Sequence, residues 1–256
     1  MKAVILAGGF GTRISEESHL RPKPMIEIGD KPILWHIMKI YESQGITDFI
    51  VCAGYKQHII KEYFSNYALY NSDMTFDFKS GGVTVRSNAS EPWTVTIADT
   101  GLNTMTGGRI KRIERYLEGD ETFCLTYGDG VTDAPLAKEI EFHEREGRAA
   151  TLLAARPAGR FGTMDMNGDN VESFREKNPQ DVGWINGGYM VLDAEVMDYI
   201  SGDDTTFEKE PLENLALDGK LNAFKHPGFW QCMDTMRDKE MLQRMWDTGS
   251  APWKTW

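Results

Sequence analysis

KAVILAGGFGTR, residues 2–13, runs an apolar strand directly into a glycine-rich loop that ends in an arginine. Ten residues after Arg13, Lys23 stands between Pro22 and Pro24. Glycines allow backbone N–H groups to approach a phosphate chain closely, and the two cations can neutralise phosphate oxygens that the backbone leaves uncovered. This stretch therefore predicts a binding site for a nucleoside triphosphate at the start of an α/β domain.

The order of the predicted elements indicates an α/β fold with a Rossmann-like, mixed but mainly parallel sheet flanked by helices. After the first strand, a helix is expected from Pro32 to Gly45, a second strand at Asp48–Ala53 and a second helix at Gln57–Asn66. This order implies parallel strands joined by right-handed crossovers. We expect one domain over residues 1–256.

Two segments of the chain follow other patterns. Apolar residues alternate with polar ones around residues 74–78 and 93–97, which is typical of antiparallel hairpin strands. We therefore expect an antiparallel insertion at about residues 72–106. Residues 194–256 are expected to form a C-terminal helical and tail segment, whose two terminal tryptophans would dock on the chain or on another subunit because exposed tryptophans are costly in water.

The composition limits the possible partners. The chain has 256 residues, of which 41% are hydrophobic and 26% charged, as is ordinary for a globular protein. Its formal net charge of −11 disfavours nucleic-acid binding. No apolar stretch approaches the roughly 20 residues that a membrane helix needs. The three cysteines are widely spaced and suit reduced, buried thiols. We expect a cytoplasmic protein with no nucleic-acid or membrane partner.

A glycine-rich loop after a first strand has three other meanings. A P-loop ends in Lys-Ser or Lys-Thr, whereas this loop reaches Arg13 five positions after Gly8. A dinucleotide-binding loop needs a third glycine, where this chain has Ile14, so an oxidoreductase is the less favoured alternative. A plain turn without a ligand would not need the charges of Arg13 and Lys23.

The two motifs together resemble the signature of the sugar-1-phosphate nucleotidyltransferases. Further matching segments follow in the family's order over the whole chain, namely Gly29–His36, Tyr127–Gly130 and Glu176-Lys177. The resemblance implies the nucleotide-diphospho-sugar transferase type of fold and a homo-oligomer, with a hexamer favoured. Thymidylyltransferases of this fold usually carry a Ser-Lys-Gln type segment where this chain has Arg21–Met25, which favours the cytidylyl branch.

The resemblance also implies a reaction. A magnesium-dependent enzyme would condense CTP with α-D-glucose 1-phosphate to give CDP-glucose and pyrophosphate, a step in nucleotide-sugar and lipopolysaccharide O-antigen biosynthesis. The sugar phosphate would attack the α-phosphorus in line. Since this nucleophile is already ionised, alignment and charge stabilisation would suffice without a general base. The alternatives are a thymidylyl- or uridylyltransferase of the same fold, and a non-catalytic regulatory protein that binds nucleotide sugars.

The residues expected to carry the chemistry are Arg13, Lys23 and Asp129. Two prolines restrict the loop that aims Lys23 at the α-phosphate, and the fork of Arg13 suits the β- and γ-phosphates. Asp129 follows a buried strand at the edge where ligands gather, which suits a Mg²⁺ ligand. The resemblance implies Asp234 as the second metal carboxylate. The residues expected to contact the nucleotide are Leu6, Ala7, Gly8, Gly9, Phe10, Gly11, Thr12, Arg13, Lys23, Thr104, Arg109 and Gly128.

The sugar site is implied mostly by the resemblance. Glu176 would accept sugar hydroxyls and Lys177 would meet the sugar phosphate. Asn186 and Gly187 resemble a sugar-contacting loop in which glycine lets the pyranose ring approach the backbone.

Overall fold

Strands and helices alternate along the chain, as the sequence predicts. The computed structural model describes residues 1–157, 163–167, 170–175 and 183–256. In these residues the strands are β1 (Ala3–Ala7), β2 (Glu27–Ile28), β3 (Lys31–Pro32), β4 (Asp48–Ala53), β5 (Met74–Asp77), β6 (Gly82–Val85), β7 (Thr94–Asp99), β8 (Thr122–Tyr127), β9 (Gly130–Thr132), β10 (Ala150–Ala155), β11 (Thr163–Asn167), β12 (Asn170–Arg175), β13 (Ile185–Asp193), β14 (Leu221–His226) and β15 (Trp230–Cys232).

Eight α-helices lie in the same described ranges. They are α1 (Ser15–Ser18), α2 (Ile33–Glu42), α3 (Gln57–Ser65), α4 (Tyr67–Tyr70), α5 (Thr106–Arg112), α6 (Leu136–Glu146), α7 (Glu210–Leu217) and α8 (Met236–Asp247). Short 3₁₀ turns lie at Thr12–Ile14, Lys23–Met25, Glu114–Tyr116 and Ala194–Tyr199. None of the helices in these ranges is long and apolar enough to cross a lipid bilayer.

Local signals in the sequence set the bounds of α2. Pro32 is its extended N-cap residue, so the predicted start shifts by one position to Ile33. The helix buries Ile33, Leu34 and Ile37 on its core face, which is the periodicity expected of an amphipathic helix. It ends at Glu42, and Gly45 then takes the left-handed backbone conformation with φ 87°.

The central sheet has seven strands in the order β14-β10-β13-β8-β1-β4-β7. Strand β1 pairs in parallel with both β4 and β8, β4 pairs in parallel with β7, and β10 pairs in parallel with β14. The one antiparallel strand of this sheet, among the residues described, is β13, which lies between β8 and β10. The predicted mixed, mainly parallel sheet is therefore confirmed.

The segment expected to be antiparallel contains strands of two kinds. Strands β5 and β6 form an exposed antiparallel hairpin outside the main sheet, as predicted. The antiparallel prediction for residues 93–97 is wrong, because β7 is an edge strand parallel to β4. The apolar residues of its alternating pattern, Val95 and Ile97, pack on the layer that includes α2, and Trp93 just before it packs against Phe49 of β4 with ring centroids 5.8 Å apart. Alternation reports burial and carries no information on strand direction.

Two apolar layers cover the two faces of the sheet. Side chains of β1 alternate between them: Ile5 faces the layer that includes α2, whereas Val4 and Leu6 face the layer that includes α5 and α7. The C-terminal segment contributes α7 and α8 as expected, but it also supplies the edge strand β14, which the sequence analysis did not anticipate. The cysteines are free; Cys52 and Cys124 are buried and Cys232 is half-buried.

The terminal tryptophans dock on the body of the chain. Trp253 is 0% exposed and stacks on Phe229, with ring centroids 5.7 Å apart. Its indole N–H donates to His36 Nδ1 at 3.4 Å, while Trp256 packs edge-on against Trp35. The tail thus covers the outer side of α2.

The imidazole of His36 should make stability depend on pH. It is completely buried, its Nε2–H donates to the Ile28 carbonyl at 2.9 Å, and burial lowers its pKa to about 4. The unfolded chain therefore binds a proton between about pH 6.5 and 4 that the folded chain does not. We expect the free energy of unfolding to fall with decreasing pH in this window by up to about 1 kcal/mol per pH unit.

Urea unfolding at several pH values measures this slope. The variant His36→Gln cannot titrate, so its stability should depend less steeply on pH between 6.5 and 4 than that of the wild type. Equal slopes for the two proteins would contradict the prediction.

Candidate functional site

The glycine-rich loop lies at the carboxyl edge of the central strands. It follows β1, and residues Gly54 and Gly128 follow the neighbouring strands β4 and β8. The backbone after β8 approaches the end of β1 so closely that a Cβ on Gly128 would lie 2.9 Å from the Leu6 carbonyl oxygen. This edge is where ligands gather in open α/β sheets.

A cavity of about 320 Å³ opens between this loop and the start of α5. We call it the glycine-loop cavity. Most of the residues expected to contact a nucleotide line it, namely Leu6, Ala7, Gly8, Gly9, Phe10, Gly11, Lys23, Thr104, Arg109 and Gly128. Thr12 is not part of its wall, and Arg13 faces a second cavity. The ring of Phe10 is 45% exposed and leans on Tyr55, with centroids 5.3 Å apart.

The second cavity, of about 470 Å³, lies beside the start of β13, and we call it the β13 cavity. Asn186 and Gly187, which the family resemblance assigns to the sugar, are among the residues that line it. Glu176 and Lys177, the other two residues expected there, lie outside the described residues. The two cavities share Thr106, Tyr127 and Asp129 as wall residues, so they are adjacent.

A chain of ion pairs lies where the cavities meet. Lys23 Nζ donates to Asp129 Oδ2 at 2.5 Å and to Asp234 Oδ1 at 2.6 Å, and Arg13 Nη1 donates to Asp234 Oδ2 at 2.6 Å. Lys23 lies in the 3₁₀ turn between its two prolines, which fixes the direction of its short backbone segment. The four charged residues named from the sequence are thus brought together from three distant parts of the chain.

The protonation of this cluster follows from its electrostatics. Burial opposes the charge on Lys23, but attraction to Asp129 and hydrogen bonds to Asp129 and Asp234 outweigh it and raise the pKa of Lys23. Burial alone would raise the pKa of Asp234; the hydrogen bond and charge of Lys23, with the charge of Arg13, hold it below its usual range. The side chain of Arg13 is 75% exposed although it pairs with Asp234, so part of its guanidinium faces solvent.

Arg109 holds the glycine-rich loop in place. Its guanidinium donates to Thr100 Oγ1 at 2.7 Å, to the Gly101 carbonyl at 2.8 Å and to the Gly8 carbonyl at 3.1 Å. A fourth bond reaches the Leu102 carbonyl at 3.2 Å. These acceptors follow β1 and β7, so the buried arginine ties together the loops at the carboxyl edge. The sequence predicts a ligand contact for Arg109 and carries no local signal for these bonds to the loops.

The residues that sequence reasoning missed belong to the shared wall. Tyr127 and Thr106 both donate to the carboxylate of Glu208, with a distance of 2.6 Å from Thr106 Oγ1 to Glu208 Oε2. The ring of Tyr127 lies against Gly188, which has φ 76° and on which a Cβ would come within 2.4 Å of that ring. In the sequence, the two glycines after Asn186, Gly187 and Gly188, indicate that another group comes close to the backbone here. No local pattern singled out Glu208 within the charged run at residues 208–210.

The cluster fits a divalent cation that a substrate helps to bind. Among the described residues, no group of three or more His, Cys, Asp or Glu side chains could hold a metal by itself. Asp129 and Asp234 nevertheless both place an oxygen on one ammonium, so the two carboxylates face a common point. Mg²⁺ is commonly bound by one or two carboxylates together with substrate phosphates. The two carboxylates therefore suit a cation that binds together with a substrate, and they do not by themselves form a complete metal site.

Comparison with known proteins gives the family of the chain. The family model described as "Nucleotidyl transferase" matches residues 2–238. The glucose-1-phosphate cytidylyltransferase of Salmonella typhimurium is 56% identical over 256 residues, which is 100% of both chains. A probable glucose-1-phosphate cytidylyltransferase of Bacillus subtilis is 45% identical over 257 residues, again covering 100% of both chains. Family members generally use a divalent metal.

Solved structures show the same fold. HddC from Yersinia pseudotuberculosis, crystallised with GMP-PN, superimposes with a TM-score of 0.68 and 25% identity, covering 96% of this chain and 99% of that chain. A UDP-glucose pyrophosphorylase bound to UDP-glucose has a TM-score of 0.67 at 15% identity, covering 97% of this chain and 98% of that chain.

Proposed function

The chain belongs to the nucleotidyl transferase family, and we propose that it condenses CTP with α-D-glucose 1-phosphate to give CDP-glucose and pyrophosphate. The observation that carries the proposal is the position of Lys23, held between two carboxylates where the glycine-loop cavity and the β13 cavity meet. A reaction that joins two phosphorylated substrates needs such a cationic group at the junction of two binding sites.

In this proposal the nucleotide occupies the glycine-loop cavity. Its volume of about 320 Å³ is within the usual range for small-molecule sites. The loop from Leu6 to Gly11 supplies backbone N–H groups for the base, ribose and phosphates, and the exposed ring of Phe10 offers an apolar surface at the rim. Thr104 and Arg109 complete the opposite wall.

The triphosphate would then extend toward the charged cluster. Lys23 contacts the α-phosphate, and the exposed Arg13 reaches the β- and γ-phosphates with its planar fork. Asp129 and Asp234 would hold Mg²⁺, which would neutralise phosphate charge when bound. The high pKa of Lys23 keeps its charge through the pH range in which phosphates are ionised.

The sugar phosphate would enter the β13 cavity. Asn186 and Gly187 contact the pyranose ring, and Glu176 and Lys177 approach its hydroxyls and phosphate. Its phosphate oxygen attacks the α-phosphorus in line while pyrophosphate leaves on the opposite side. No side chain has to remove a proton, so the residues act by alignment and by stabilising charge.

Further features of the proposal rest on the family. The protein would be a homo-oligomer, with a hexamer favoured, and would act in the cytoplasm, where CTP is available and free thiols such as Cys52 and Cys124 persist. CDP-glucose would serve nucleotide-sugar biosynthesis, including that of lipopolysaccharide O-antigen. A thymidylyl- or uridylyltransferase and a non-catalytic regulatory protein are the alternatives that the experiment below distinguishes.

Pyrophosphate release tests the proposed function. Purified protein with MgCl₂ and glucose 1-phosphate is mixed separately with CTP, dTTP, UTP, ATP and GTP, and the sugar product is identified by mass. We expect the highest kcat/KM with CTP and CDP-glucose as the product. Faster turnover with dTTP or UTP would contradict the preference for CTP, although the protein would still be a nucleotidyltransferase. No pyrophosphate release with any triphosphate would favour a regulatory protein.

A further inference from the structure

Glu208 occupies the wall of the β13 cavity two residues before α7 begins. Its Oε2 accepts a hydrogen bond from Thr106 Oγ1 at 2.6 Å, and its Oε1 accepts one from the hydroxyl of Tyr127. Both donors line both cavities, while Glu208 itself lines only the β13 cavity. The carboxylate therefore belongs to the side on which the proposed function places the sugar.

The surroundings hold this carboxylate firmly. The neighbouring Phe207 is 0% exposed, and its backbone N–H donates to Thr106 Oγ1 at 2.9 Å. The hydroxyl of Tyr127, whose ring packs against Gly188, donates to the other oxygen of the same carboxylate. A side chain fixed at both oxygens by rigid neighbours is suited to discriminate between ligands, because it cannot turn away from an unfavourable one.

Within residues 1–157, 163–167, 170–175 and 183–256, no cation forms an ion pair with Glu208. In the described part of the chain, Asp129 and Asp234 pair with Lys23 or Arg13, whereas the hydrogen bonds to Glu208 come from neutral hydroxyls. A carboxylate has about four acceptor positions, of which two are used here. The remaining two can accept hydrogen bonds and can donate none.

We propose that Glu208 determines sugar specificity in the β13 cavity: its carboxylate accepts hydrogen bonds from hydroxyls of a neutral hexose 1-phosphate and repels sugars that carry a second anionic group. The proposal rests on the proposed function. Glucose 1-phosphate presents only hydroxyls to such a wall, whereas glucuronic acid 1-phosphate brings another carboxylate. Like charges placed together at a binding surface act against the wrong ligand even when its shape fits.

The test compares two sugars in two proteins. Wild type and Glu208→Gln are assayed with saturating CTP and MgCl₂ on glucose 1-phosphate and on glucuronic acid 1-phosphate. Glutamine keeps the shape of the side chain and removes the charge. We expect KM for glucose 1-phosphate to rise roughly 10- to 100-fold, as for the loss of a hydrogen bond to a charged group. The preference for glucose 1-phosphate over glucuronic acid 1-phosphate should fall at least tenfold, with KM for CTP changing less than about twofold.

Two further variants separate this role from a structural one. Tyr127→Phe removes one donor to Glu208 and keeps the charge, so the preference between the two sugars should stay within about threefold of the wild type. Glu210→Gln removes an exposed carboxylate two residues away, outside the cavity, and should change neither KM nor preference. If Tyr127→Phe altered the preference as much as Glu208→Gln, Glu208 would only be holding Tyr127 and the proposal would be overturned.

The outcomes distinguish this proposal from the proposed function. If the activity of the wild type on glucuronic acid 1-phosphate were within tenfold of its activity on glucose 1-phosphate, the role of Glu208 would be overturned without any variant. An unchanged preference in Glu208→Gln would do the same. Failure of wild type to turn over CTP with glucose 1-phosphate would overturn the proposed function, and the role of Glu208 with it.

Discussion

Replacing Lys23 with methionine is expected to lower kcat/KM roughly 10²- to 10³-fold, the usual loss when one group that stabilises transition-state charge is removed from a closed site. The ammonium of Lys23 is buried between Asp129 and Asp234 at the junction of the two cavities. Methionine keeps the length and apolar stem of the side chain and removes its charge. Steady-state pyrophosphate release with CTP and glucose 1-phosphate measures the effect.

A matched lysine controls for the loss of a positive charge in general. Lys138 is exposed on α6, outside both cavities, so Lys138→Met should retain activity within about twofold. A non-catalytic nucleotide-binding protein would show weaker CTP binding in Lys23→Met and no activity in the wild type. If Lys23→Met kept more than a tenth of wild-type kcat/KM, the catalytic role of Lys23 would have to be abandoned.

Replacing Gly8 with alanine should damage the site through its backbone. A Cβ at this position would lie 2.0 Å from Nη1 and 2.3 Å from Cζ of Arg109. Flexible arginine heads can usually move aside at little cost, but this guanidinium is held by the carbonyls of Gly8, Gly101 and Leu102. Displacing it leaves buried acceptors without their charged donor. We expect a loss of about 3 kcal/mol in unfolding free energy, or roughly 6–12 °C in melting temperature for a chain of this size.

The next residue provides the control. A Cβ on Gly9 would meet nothing within 4 Å, and the backbone of Gly9 is not in the left-handed region. Gly9→Ala should therefore melt within about 2 °C of the wild type in the absence of nucleotide. Gly8→Ala should also lose the thermal stabilisation that CTP gives to the wild type. Similar melting temperatures for the two variants would show that Arg109 does not clamp the loop.

The sequence identified the parts of the fold that local patterns encode. The apolar run of β1 and the helix α3 were placed within a residue or two, because each reflects which side chains face the core in one continuous segment. The parallel order followed from alternating strand and helix signals. The direction of β7 did not, because alternation shows which side chains share a face and is the same for parallel and antiparallel strands.

The candidate site divides in a similar way. The glycine-rich loop, Lys23 between its prolines and Asp129 after a buried strand each carry a local signal, and the structure gathers them at one sheet edge. Asp234 was named only through the resemblance to a family, because it lies 211 residues from Lys23 and its neighbours in sequence read equally well as a helix cap.

What the sequence determined by itself is the set of local conformations, the family and the identity of the charged groups around a phosphate-binding loop. Only the tertiary structure decided that Arg109 donates to backbone carbonyls and that Glu208 lies in the wall of the β13 cavity. The physical reason is the range of the contacts. Arg109 reaches Gly8 across 101 positions and Glu208 reaches Thr106 across 102, so their partners are fixed by the packing of whole strands and helices and by no pattern in the neighbouring residues.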